Sequence, residues 1–137
     1  MLKENRVEPP QAPGIITVPS TRSVKETLDH LETILKEKGV TIFGRVDHSG
    51  EASKAGLSMP DTQVLIFGNP RGGTPVMLEA PLSAIDLPLK ALAWTDSEGD
   101  TWLSYNDPAH FRDRFTLSEG VMKGIATLSS LIPKAAE

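Results

Sequence analysis

Between Val40 and Asn106 the chain carries four short strand-like runs with only short helical turns among them, and this constrains the fold more than any other feature. Parallel sheets need helices alternating with their strands, so the run argues for an antiparallel sheet in an α+β domain. Val40–Asp47 alternates, with Val40, Ile42 and Val46 on one side and Phe43, Arg45 and Asp47 on the other. Asp47 is then expected to pair with Arg45. Gln63–Gly68 is apolar on both sides, so both of its faces must be covered. Leu89–Asp96 and Thr101–Asn106 are joined by Ser97-Glu98-Gly99-Asp100, a hairpin signal. With Glu98 and Gly99 as the loop, Trp94 lies opposite Leu103 and Leu92 opposite Tyr105. One face then carries Leu92, Trp94, Leu103 and Tyr105, and the other Leu89, Ala91, Ala93 and Trp102. Neither reads as fully solvated. Helices can cover one, and the second calls for the segment 69–87 or another copy of the chain, which makes a homodimer the expectation.

Upstream, Gly14–Val18 reads as a strand bounded by Pro13 and Pro19. Val24, Leu28, Leu31, Ile34 and Leu35 recur at helical spacing, Ser23 with Glu26 forms a capping box, and Gly39 stops the helix. His30 falls off the apolar face and is read as solvated. Glu51–Leu57 makes at most two helical turns before Gly56. Prolines 70, 75, 81 and 88 break the segment after Gly68 into short helical turns, Pro108 opens a short helix through Arg114, and Leu117–Ile132 forms a second apolar helix ended by Pro133. The order is β-α-β4-α, with an antiparallel sheet packed by helices on one face. The divisions are a flexible arm over 1–13, a single domain over 14–133 and a tail over 134–137.

Composition excludes several functions. The 137 residues suit one domain, and no cysteine is present for disulfides, thiolate metal sites or a cysteine nucleophile. A net charge of -4 disfavours nucleic acid as a partner. Nothing approaches an 18-residue apolar run, and the first residues lack a secretory or transit pattern, so no membrane partner and a cytoplasmic location are expected. His30, His48 and His110 stand apart from other ligand types, so no metal is expected. No cofactor is expected either, because GxGxxG and GxxxxGK are both missing. No GxSxG elbow supports hydrolase chemistry.

Three groups of residues carry the candidate chemistry. Asp47 and His48 invite an acid-base reading, although neighbours on a strand point to opposite faces. Gly68-Asn69-Pro70-Arg71-Gly72-Gly73-Thr74 follows a strand and precedes a helical turn, a context in which backbone N–H groups cradle anions; a tight turn is the plainer alternative. Lys90 and Trp94, sharing a face with Tyr105, either line a small-molecule pocket or form the rim of a core. The preferred reading is a non-enzymatic homodimer that binds a small molecule or a protein partner. Its site would lie between the sheet and the segment 69–90, with polar contacts from Asn69, Arg71 and Gly73 and a lining of Lys90, Trp94 and Tyr105. The alternatives are an enzyme with Asp47 or His48 as general base and Lys90 as electrostatic stabiliser, and a purely structural dimerisation domain.

Asp47-His48, Ala55-Gly56-Leu57, Phe67-Gly68-Asn69-Pro70, Gly73-Thr74-Pro75, Asp86-Leu87-Pro88-Leu89-Lys90, Trp94 and Tyr105-Asn106-Asp107-Pro108 together resemble the domain-of-unknown-function 302 family. The resemblance runs from about Thr21 to Phe115. Similar members often carry Arg-His where Arg114-Phe115 stands here. The resemblance implies a β-α-β4-α fold of the TATA-binding-protein-like architectural class and a homodimer. It implies no activity and no catalytic residue, and the architectural name does not bring DNA binding with it.

Overall fold

The computed structural model describes residues 9–137. The expected arm over 1–13 therefore lies largely outside the described residues. Strand β1 (Ile15–Pro19) leads into helix α1 (Val24–Glu37), whose Ser23–Glu26 capping box forms as the sequence implies. Strand β2 (Thr41–Asp47) runs directly into the short helix α2 (His48–Lys54). Strand β3 (Thr62–Gly68) is followed by α3 (Pro70–Glu79) and a 3-10 turn over Pro81–Asp86. The hairpin of β4 (Leu89–Thr95) and β5 (Thr101–Asn106) precedes α4 (Pro108–Phe115) and α5 (Lys123–Ser129). The sheet order is β1-β5-β4-β3-β2, antiparallel throughout.

Helix α1 lies across the sheet and buries Val24, Leu28, Leu31 and Leu35 against Leu65, Phe67, Ala91, Ala93 and Leu103. A second apolar cluster joins Val76, Phe111, Leu117, Met122 and Ile125 beneath α3, α4 and α5. Leu89 packs against both clusters.

The sheet register departs from expectation in two places. The hairpin pairs Trp94 with Trp102, Ala93 with Leu103, Leu92 with Ser104 and Ala91 with Tyr105. Its loop has three residues, not two: Asp96 N–H donates to Asp100 O at 2.9 Å, and the Asp96 carboxylate accepts from the Glu98 and Asp100 amides. Gly99, with φ +86°, supplies the left-handed residue this loop requires. A one-residue slip moves every side chain to the opposite face. Leu103 and Tyr105 therefore face the helices with Ala91 and Ala93, while Trp102 joins Lys90, Leu92 and Trp94 on the other face. In β2 a bulge at Phe43 breaks the alternation, placing Ile42 opposite Phe67 and Val46 opposite Val64, so Ile42 and Val46 occupy different faces.

Other local expectations are corrected as well. Arg45 turns to α1, with Nη2 at 2.6 Å from Glu32 and 3.0 Å from Asp29, rather than to Asp47. Hydrogen bonding from Lys25, with Arg45 assisting against desolvation, holds the Asp29 carboxyl below the ordinary aspartate value. His30 is half-buried and its Nδ1 lies 3.3 Å from Ala135 O. The region after Leu117 is not one helix: 3-10 turns over Gly120–Met122 and Ile132–Ala136 flank α5. Pro133 sits in the first turn of the last of these, where its missing N–H costs no hydrogen bond. Residues 134–137 are no loose tail. Ala135 and Ala136 are buried, and Ala136 O accepts from the Thr21 amide at 3.0 Å.

Candidate functional site

The two apolar clusters do not merge along α5, and the seam between them is a cavity of about 930 Å³. It lies between the first turns of α3, the face of α5 and the adjoining ends of β2 and β3. Five of the chain's 11 glycines, at 68, 72, 73, 120 and 124, line it, so its walls lack the side chains that would fill it. A β-carbon built on Gly124 would lie 2.8 Å from the Gly72 Cα, so α3 and α5 cross with their backbones in contact. The apolar lining comes from Val40, Phe43, Met77, Leu87, Ile125 and Leu128, among others.

Asn69, Arg71 and Gly73 all line this cavity. The loop around them is the start of a helix: Asn69 caps α3, its Oδ1 accepting from the Arg71 amide at 3.0 Å, and Pro70 occupies the first turn. A small side chain at Gly73 would meet only Leu87 and Met77, each at 3.9 Å. The opposite wall, residues 120–131 of the α5 region, was not foreseen from the sequence. The one local signal of it is the spacing of Gly120 and Gly124, two glycines one turn apart within a helical pattern.

Lys90 and Trp94 lie elsewhere, on the sheet face away from the helices. They line a shallower hollow with His48, Val64, Ile66 and Leu92, bordered by residues 10–12. Trp94 Nε1 donates to Ser104 Oγ at 3.0 Å, and Ser104 Oγ meets Thr17 Oγ1 at 2.8 Å, a polar chain across three strands. Tyr105 borders this hollow, but its ring packs toward the helix-side core because of the hairpin register. Burial, then the Asp107 charge, push its phenol pKa up. The structure thus divides the expected site in two and does not bring Lys90, Trp94 and Tyr105 to Asn69, Arg71 and Gly73.

Asp47 and His48 separate as strand passes into helix. The Asp47 carboxylate accepts from the Gly50 amide at 2.9 Å and from Ser49 Oγ at 2.8 Å, capping α2. The Gly50 bond, then the Ser49 bond, lower its pKa, which makes it a weaker base. His48 lines the sheet-face hollow with Lys90, while Asp47 does not. Among the described residues no group of three or more His, Asp or Glu side chains is placed to hold a metal ion.

The fold and its site define a class: an α+β domain with an open five-stranded sheet, helices on one face and a glycine-walled cavity among those helices. The chain belongs to the family described as domain of unknown function DUF302, whose model matches residues 16–135. The crystal structure of an uncharacterized conserved DUF302 protein from Bacillus stearothermophilus has the same fold. Its TM-score is 0.75 at 20% identity, covering 91% of this chain and 97% of that one. Over 126 residues the chain is 40% identical to the fluoride-specific ion channel FluC 1 of Brucella suis, covering 90% of this chain and 50% of that protein. The fluoride-specific ion channel FluC 2 of Brucella melitensis matches with the same identity over 47% of its length. The chain spans about half the length of these relatives. No helix among its described residues is long and apolar enough to cross a membrane.

Proposed function

We propose that this chain is a small-molecule-binding domain that acts as a homodimer in the cytoplasm. The observation that carries the ligand reading is the glycine-walled cavity at the seam of two cores, whose size and largely apolar lining match those of ordinary ligand sites. An enzymatic reading has less support, since the Asp47 carboxylate is engaged as a helix cap and stands apart from the hollow that holds His48 and Lys90. The channel activity named for the Brucella proteins is read as a property of their other half. A largely apolar cavity of this volume is far too large for a fluoride ion, so this domain is proposed to sense or carry an organic molecule.

Decanol is a suitable neutral probe. Titration followed by two-dimensional NMR is expected to shift the amides of Gly72, Gly73, Gly124 and Ile125. Gly73→Leu fills the cavity from a wall with room for it and should abolish those shifts while the protein stays folded. Amides that stay unmoved at all four positions with decanol and with decanoate alike, or shifts that persist unchanged in Gly73→Leu, would refute the ligand reading.

The homodimer rests on a separate observation. Val64, Ile66, Leu92 and Trp94 line the sheet face opposite α1, with Ile15 and Val46 each 37% exposed beside them. Covering such a face with a second copy removes apolar surface from water. Light scattering at micromolar concentration should give twice the chain mass, and Leu92→Asp should return it to the monomer mass. A monomer at every concentration would exclude the dimer.

A further inference from the structure

We infer that the cavity takes an amphipathic organic oxyanion: an apolar body held among the core side chains and a carboxylate-like head at the mouth. This rests on the ligand-binding reading above and adds the charge of the ligand to it. Of the 12 Lys and Arg side chains among the described residues, six form ion pairs with carboxylates: Lys25, Lys36, Arg45, Lys54, Arg112 and Arg114. Three of the remaining six, Lys38, Arg71 and Lys123, line this one cavity. They arrive from three separate elements: the turn after α1, the first turn of α3 and the start of α5. None has an ion-pair partner among the described residues.

The lining contains no Asp, Glu or His, although the chain has 18 acidic residues against 14 basic ones. Lys38, Arg71 and Lys123 are all exposed, so their charges stand at the solvent side of the cavity and attract anions there. Behind that rim the lining is hydrocarbon. An inorganic anion satisfies only the rim, and a neutral hydrocarbon only the interior; a molecule with both parts satisfies both. The Arg71 guanidinium suits a planar or tetrahedral oxyanion through paired N–H donors, and the two lysines add mobile point charges.

The test compares decanoate, decanol and inorganic phosphate on the full chain at neutral pH and low salt, by calorimetry and by the amide shifts of Gly73 and Gly124. Decanoate is expected to bind at least about tenfold more tightly than decanol, the gain of one charge-assisted hydrogen-bonded head group. Phosphate should neither displace decanoate nor shift Ile125. The double variant Arg71→Gln, Lys123→Gln should bring decanoate down to the affinity of decanol and leave decanol unchanged. Equal binding of decanoate and decanol would overturn this inference while leaving the ligand reading intact. So would a decanoate preference that survives the double variant. Failure of both probes to bind overturns the ligand reading itself.

Discussion

Phe67→Ala is expected to lower the free energy of unfolding by about 3–5 kcal/mol, measured by urea denaturation. Phe67 is fully buried, is paired on both sides within the sheet, and belongs to the core cluster that α1 covers. Ile42 and Leu89 are its cross-strand neighbours on β2 and β4. Removing the ring leaves a hole that α1 cannot follow inward, because Leu28, Leu31 and Leu35 are already packed in the same core with Leu65 and Ala91. The cost is the lost transfer of the ring plus the unfilled space. Phe43 provides the control. It sits in the β2 bulge, 58% exposed, and Phe43→Ala should change stability by no more than about 0.5 kcal/mol. Loss of under about 1 kcal/mol in Phe67→Ala would mean that the ring is not at the centre of the core.

Gly124→Ala is expected to destabilise the domain by about 1–3 kcal/mol, the usual cost of forcing extra volume into a packed contact. Helix propensity alone says the reverse, since alanine is favoured over glycine by about 1 kcal/mol within a helix. The close approach decides the sign: the added carbon would meet the Gly72 Cα at 2.8 Å, and backbone cannot swing aside as a flexible side chain can. The reciprocal change differs. A β-carbon on Gly72 meets Gly124 at 3.4 Å, an ordinary contact, so Gly72→Ala should be neutral or mildly stabilising. Thermal unfolding of the two variants side by side measures this asymmetry. A Gly124→Ala protein as stable as the parent would rule out the backbone crossing of α3 and α5.

Features set by neighbours in sequence were legible in advance, and those set by distant ones were not. The Ser23–Glu26 cap and the apolar face of α1 follow from spacing within one helix, and both appear as read. The doubly apolar β3 was legible for the same reason, since α1 covers Leu65 and Phe67 on one side while Val64 and Ile66 face the hollow. The hairpin register was not, because it turns on whether Asp96 and Asp100 close a two- or three-residue loop. That single residue turned Tyr105 to the other face from Trp94, whereas Lys90 and Trp94 part from Asn69, Arg71 and Gly73 because β4 points them away from the helices. Asn69, Arg71 and Gly73 were legible as a loaded segment because they sit between a strand and a helix. Lys38 and Lys123 were not: they join Arg71 only when the chain closes on itself, and nothing within either segment records that meeting.

The positions of the two tryptophans give this molecule a built-in readout confined to one region. Trp94 and Trp102 stand opposite each other on the side of the sheet away from α1, and neither lines the glycine-walled cavity. Indole emission therefore reports the environment of that sheet face, where Trp94 is tied through Ser104 to Thr17. Pairing of two copies over this face would be followed by tryptophan fluorescence without added label, while a ligand entering the cavity would leave that signal unchanged and be read from the glycine amides.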